Sequence, residues 1–360
     1  MKKVGIGITA AFIVLAVILM LAVLGFKAYD SITYSDFYDI ANEEFYIPDL
    51  MDGYVPQGFE YMKEEKSFLA CGYMSDGESA SRVYVISECG DEYYYTELMA
   101  QNGDNYTGHT GGIAYSGDYL FITGDDGIDV FMLSDIIDKN VSKAAHIGTV
   151  KSSFDINPAY CFTYDGYLYT GAFQRDEDYQ TPSEHHMKTP SGDQNKALMV
   201  AYDLNDIVFK RNVNGAIIDT EIEPAPRALY SMPSYVQGVC VGSYVVGHGD
   251  DGKPVYEEKL MASTSWGLTT SHIYVYDMEK VHSGTNSDFA RDTYGVEIPL
   301  YYLDGSSLEY DLEAPPMAEE IVYHEGKIWI MNESASNKYI FGKITTGNYL
   351  FSVEYPIKND

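Results

Sequence analysis

The stretch "YVPQGFEY" begins at Tyr54, and "YVQGVCVG" begins at Tyr235. Related phrases stand at three other places: "TGGIAY" from Thr110, "AYCFTY" from Ala159 and "AEEIVY" from Ala318. In each, a small or polar pair precedes a bulky apolar residue (Phe59, Ile113, Phe162, Val239, Ile321), and in four of the five a tyrosine follows two positions later. That alternation has the period of a half-buried strand.

Each phrase leads through a turn into a second apolar run: "SFLACG", "YLFITG", "YLYTGA", "KLMAST" and "KIWIMN". Glycine supplies the turn in "YSGDYL", "YDGYLY" and "HEGKIW", as tight hairpins require. A third strand is expected in "SRVYVIS", "IDVFMLS", "ALMVAYDL", "SHIYVYDM" and "KYIFGKI". Less regular fourth strands are expected in segments such as "AIIDTEIE", "VEIPLYYL" and, in the last unit, "NYLFSVE". Five units of four strands predict an all-β chain folded as a five-bladed β-propeller, because only a closed ring covers the apolar faces of every unit. Residues 174–196 form a polar insertion that overhangs one face of the ring.

Residues 4–26 carry no charged side chain. As a helix they would span ~34 Å, enough to cross a membrane. The site best placed for signal cleavage, Phe26-Lys27-Ala28, puts a phenylalanine where a small residue is wanted. The reading is therefore a single-pass anchor with Lys2 and Lys3 in the cytoplasm and the propeller outside; secretion after cleavage is the alternative. The expected organisation is an anchor over residues 1–30, a spacer over 31–53 that ends in a strand able to close the ring, and a propeller over 54–360.

The formal net charge is −31, and Asp30 is the one acid in the first thirty residues, so the acidity belongs to the body. Such a surface repels nucleic acid and anionic lipid. The four cysteines, Cys71, Cys89, Cys161 and Cys240, form no metal-binding pattern, and their spacing does not choose among the pairings open to them. The Asp-Gly pairs in "MSDGES", "GDDGID" and "GDDGKP" read as turn chemistry, and "EHHMK" reads as a loop. No GxSxG elbow or P-loop is present.

The opening phrases, together with "SFLACGYMSDGESASRVYVI" and "LMASTSWGLTTSHIYVYDM", resemble the blade pattern of the plant-type glutaminyl cyclotransferases. The resemblance implies a five-bladed propeller with a QGL-like first strand and an EST-like second strand that supplies a catalytic carboxylate. Here the matching positions hold Leu69 or Ala70 in the first unit and Ala262 in the fourth, and none of these transfers a proton. Glu333, in "IWIMNESAS", is the acid closest to that place. "PMAEEIVYHEGKIWI" resembles, more distantly, the opening blade of the calcium-dependent lactonase-type propellers, which implies calcium held by Glu320, with Glu319 as the other candidate acid, and by Asn157.

In a propeller the first strand of each blade lines the central channel, so Gln57, Gly111, Tyr160, Gln237 and Glu319 are expected at equivalent places around its mouth. Gln57, Tyr160, Gln237, Glu319 and Glu320 are the expected ligand-binding residues. The expected function is non-catalytic binding of a small polar or cationic ligand, or of an extracytoplasmic protein. A hydrolase or cyclotransferase-like enzyme using Glu319, Glu320 or Glu333 is the alternative.

Overall fold

Apolar runs separated by short turns fold into five antiparallel sheets set as blades around one axis. The computed structural model describes residues 2–125, 127–214, 217–249, 252–284, 290–291, 295–339, 342 and 347–354, with side chains from residue 12 onward. The innermost strands are Tyr54–Met62, Ile113–Ser116, Pro158–Tyr164, Val236–His248 and Ala318–His324. Each touches the next around the ring, and the last returns to the first. Apolar clusters fill the seams between adjacent blades; Phe59, Phe68 and Trp329, for example, bind blade I to blade V.

The blades are assembled across the units read from the sequence. Blade V takes Ala318–His324, Lys327–Asn332 and Tyr349–Glu354, and its outermost strand is Ala41–Tyr46 from the start of the body. Ala41 pairs with Val353 and Tyr46 with Tyr349, so residues from both ends of the chain share one sheet and close the ring. "NYLFSVE" therefore supplies a third strand, not a fourth. In "KYIFGKI", Lys338, Tyr339 and Gly342 are not in a strand, and the remaining positions lie outside the described residues.

The fourth strands of blades III and IV are Pro226–Met232 and Leu308–Ala314. "AIIDTEIE" and "VEIPLYYL" have a different job. From them, Glu221–Ile222 adds a parallel strand to the edge of blade II, and Leu300–Tyr302 adds one to blade III. Lys143–Ala145 covers blade I in the same way. An open sheet edge is a row of unpaired amides and carbonyls, and here the connection between the third and fourth strands of the next blade covers it. That pairing is a tertiary event which local alternation does not report. All four cysteines are free thiols, and three of them are buried.

The repeated phrase has two structural meanings. Its small residues mark where the inner strands crowd the axis. A Cβ on Gly58 would lie 2.5 Å from the Cys71 Sγ and 2.8 Å from the Gly112 carbonyl carbon. On Gly112 it would lie 2.5 Å from the Cys161 amide nitrogen, and on Gly238 2.5 Å from the Glu320 Cα. Into this crowded hub blade V projects Glu320, whose residue is only 1% exposed. One of its oxygens accepts the amides of Phe59 at 2.7 Å and Ile113 at 3.0 Å, and the carboxyl is also bonded by the amide of Cys161. Glu320 thus ties blades I, II and III to blade V. Its Oε2 is taken up by backbone amides, whereas Oε1 has no hydrogen-bond partner among the described residues.

The second meaning is a β-bulge. The inner strands of blades I, III, IV and V each break register at the phrase: between Pro56 and Gly58, Pro158 and Tyr160, Val236 and Gly238, and Ala318 and Ile321. A bulge leaves one residue unpaired and re-aims its side chain. In blades I and IV the freed residues are Gln57 and Gln237.

The N-terminal helix α1, Lys2–Thr33, contains an apolar span over Phe12–Thr33, in which residues 12–29 are all exposed and Asp30 is buried. A short helix α2, Ser35–Ile40, leads from it into the ring-closing strand.

Three unfolding measurements on the full chain check this account. Phe59, stacked on Phe68 with ring centroids 5.0 Å apart, is expected to cost about 3–5 kcal/mol as Phe59→Ala. Gly112→Ala is expected to unfold well below Gly247→Ala, where a Cβ meets nothing within 4 Å. Glu320→Ala strands buried amides and is expected to cost about 1–3 kcal/mol for each; a change near zero would show that the hub does not depend on it.

Candidate functional site

At the end of the ring where the inner strands begin, the bulges and the loops between second and third strands enclose a vestibule of about 520 Å³. Gln57, Gln237 and Glu319 reach it from the bulges. Tyr73, Phe173, Ser265, Trp266 and Glu333 reach it from second strands or from the loops that follow them, and His109 and Asn157 from loops that precede inner strands. Residues 174–196 lie on this face, and their Tyr179 forms part of the wall.

The acids of the vestibule define its chemistry. Glu319 is 3% exposed, lines the cavity, and accepts no hydrogen bond on its carboxyl from the described residues. Burial, then the charges of Glu333 and Glu320, push its pKa well above the ordinary carboxylate range, against the pull of Lys338. Glu333 is also raised by burial, although three groups oppose the shift. The Tyr339 hydroxyl and the Gln57 amide each donate to its Oε2 at 2.8 Å, and Lys338 acts on it by charge. Gln57 also donates to the carbonyl of Pro56 at 2.8 Å, which fixes the side chain across the mouth. Gln237 is held more loosely, 3.5 Å from the Ser265 hydroxyl.

Aromatic rings make the walls. His109 lies against Tyr73 with centroids 4.7 Å apart, and Phe173 lies 5.9 Å from Trp266. The Arg175 guanidinium covers Trp266 at 4.1 Å. Lys338, the one lysine or arginine in the lining, sits over Tyr73 at 4.6 Å and Tyr339 at 5.3 Å and has no carboxylate within 4.0 Å among the described residues.

Of the residues singled out from sequence, the vestibule brings together Gln57, Gly111, Gln237, Glu319, Glu333 and Asn157. Tyr160 stands elsewhere. In blade III the bulge falls one residue early, so that Tyr160 pairs with Gly171 and its ring is buried in the seam with blade IV. A Cβ on Gly171 would meet the Tyr160 hydroxyl oxygen at 2.0 Å, so the glycine makes room for the ring. Glu320 does not line the vestibule, whereas Asn157 does.

Sequence reasoning passed over Tyr73, Trp266, Lys338 and Tyr339. Tyr73 lies near the end of a second strand and the others follow one, so the signal available was position relative to the blade repeat. Elsewhere, Asp76 in "MSDGES" accepts the amides of Glu78 and Ser79, as turn chemistry requires. Asp126, Asp250 and Asp251 of the other two pairs lie outside the described residues. His185 of "EHHMK" is buried and bonded through Nε2 to the Phe154 carbonyl at 2.8 Å.

No protein-family model matches the chain, and no curated protein does. Solved structures similar to it include the glutaminyl cyclase of Myxococcus xanthus, at 9% identity and a TM-score of 0.39 over 87% of this chain and 94% of that one. They also include the extracellular domains 1-2 of Drosophila Semaphorin 1b, at 9% identity and a TM-score of 0.35 over 82% and 63%. A third is a nidogen/laminin complex, at 11% identity and a TM-score of 0.33 over 78% and 73%. With TM-scores below 0.5 these likenesses carry no inference about chemistry. On its own sheet order and ring contacts, the protein is a five-bladed β-propeller preceded by one N-terminal apolar helix.

Proposed function

We propose that this protein is a membrane-anchored propeller, held outside the cell by α1, whose vestibule binds a small organic cation without transforming it. The observation that carries this reading is Glu319: a buried carboxyl, turned into a cavity, with no donor of its own among the described residues and with a second buried carboxyl beside it. Two acids in a desolvated space are relieved by a positive guest. An ammonium group also gains from the rings of Phe173 and Tyr179, which line the same cavity. Gln57 and Gln237 orient polar parts of the guest.

A second reading is acid–base catalysis. It is favoured by the raised pKa of Glu319, which keeps a proton available in a cleft. The two readings part on turnover: a binding protein returns its ligand unchanged.

The first test is calorimetric titration of the detergent-solubilised full chain with ethanolamine and choline. Binding is expected in the wild type and to fall about tenfold or more in Glu319→Gln and Glu333→Gln, with stability held within about 1 kcal/mol. Equal affinity in all three proteins would place the site elsewhere, and conversion of the ligand would favour the enzyme.

The pH dependence has a definite sign. Glu319 and Glu333 bind cations as carboxylates, so affinity is expected to rise with pH through their raised pKa values. Without ligand, the native state holds protons that the unfolded chain has released, so stability present below the ordinary Glu range is lost as pH rises through the raised values. A bound cation is expected to remove that loss, and melting temperature against pH, with and without choline, measures it.

Anchoring is checked separately. The mature chain is expected to begin near Met1 and to stay with membranes after alkaline extraction; a soluble chain beginning after Ala28 would show cleavage.

A further inference from the structure

The way α1 joins the body sets the direction in which the vestibule faces. In blade V the inner strand runs away from the mouth, so Tyr349 and Asn332 lie at the mouth end and Val353 and Tyr323 at the far end. Ala41 pairs with Val353, so α2 delivers the chain to the far end. The residue before α2, Tyr34, reaches the mouth end of blade IV, where its hydroxyl lies 3.3 Å from the Thr270 hydroxyl. Between Tyr34 and Ala41 the chain therefore descends the outer edge of the ring from the mouth side.

The junction is held in place. The Tyr34 amide bonds the Asp30 carbonyl at 2.9 Å, and the Tyr38 amide bonds the Tyr34 carbonyl at 3.0 Å, which carries the helical ladder across residue 34. The Tyr38 hydroxyl also donates to Asp30 at 2.6 Å, and Phe37 packs edge-on against Phe351 with centroids 5.4 Å apart. The apolar span consequently leaves the body on the side of the vestibule.

That side carries the groups suited to a lipid interface. Leu268 is 58% exposed and Met51 69% exposed, and Tyr46, Tyr179, Tyr235 and Trp266 are also open to solvent there. Tyrosine and tryptophan with scattered aliphatic neighbours favour the headgroup layer.

We infer that the vestibule face rests on the outer surface of the protein's own membrane, and that its ligand is the zwitterionic headgroup of an ammonium-bearing phospholipid. This rests on the reading of α1 as an anchor and of the vestibule as a cation site. Glu319 and Glu333 take the ammonium group. Lys338, which lines the same cavity with no carboxylate of its own among the described residues, takes the phosphate. A body of such negative charge is repelled by anionic headgroups, so the occupant is zwitterionic.

The test places the full chain in phosphatidylethanolamine–phosphatidylcholine nanodiscs, with Cys89→Ser removing the exposed thiol. A fluorophore is attached at Leu268→Cys or Met51→Cys on the mouth rim, or at Val246→Cys or Tyr256→Cys on the opposite hairpin, and quenched by headgroup nitroxide lipid. Quenching is expected at the rim positions and not at the hairpin; the reverse pattern, or quenching at neither, overturns the orientation. Glycerophosphoethanolamine is then titrated against ethanolamine. It is expected to bind about tenfold tighter, with that gain lost in Lys338→Met and both ligands lost in Glu319→Gln. If ethanolamine binds and glycerophosphoethanolamine binds no tighter, the cation site stands and the lipid assignment falls. If neither binds, the cation site itself is wrong, and quenching still judges the orientation.

Discussion

The molecule turns on the crowding of five strands around one axis. Gly58, Gly112 and Gly238 allow approaches that any Cβ would block, and Glu320 fills the remaining space with a carboxyl that collects amides from three blades. A buried acid is costly unless hydrogen-bonded, and here one carboxyl oxygen accepts inner-strand amides from two neighbouring blades. Burial still pushes the Glu320 pKa well above the usual range, against those bonds. One side chain thereby links inner strands that no shared sheet joins.

The same bulges that loosen the ladder build the mouth. Where the extra residue falls decides its fate: in blades I and IV it turns Gln57 and Gln237 into the vestibule, and in blade III, one place earlier, it leaves Tyr160 inside a seam. In blade V it gives consecutive acids different roles. Glu319 faces the cavity, and Glu320 faces the hub. A one-residue change in register thus separates a candidate binding group from a structural one.

Closure links the ring to the N-terminal helix. The strand Ala41–Tyr46 completes blade V and follows α2 directly, so the helix is attached through the element that seals the ring. Pairing strands from both ends of the body in one sheet protects the seam from opening, as shared sheets remove free edges. The parallel strands that cover blades I, II and III extend the same protection to the perimeter.

The sequence by itself determined the blade repeat, the apolar helix and the acids of the mouth. Period-two alternation, glycine turns and a long uncharged run are local properties, each read within one strand, one hairpin or one helix. It did not determine which blade a strand joins. "NYLFSVE" and Ala41–Tyr46 are both good strands, and their order in blade V follows only from pairing across the whole chain. Nor did it separate Glu319 from Glu320, or exclude Tyr160, because a bulge moves a side chain to another face without changing its neighbours in sequence. Tyr73, Trp266, Lys338 and Tyr339 joined the site only once the ring gathered the loops of different blades at one mouth. Strand character comes from local periodicity, but convergence comes from closure, and closure exists only in the tertiary structure.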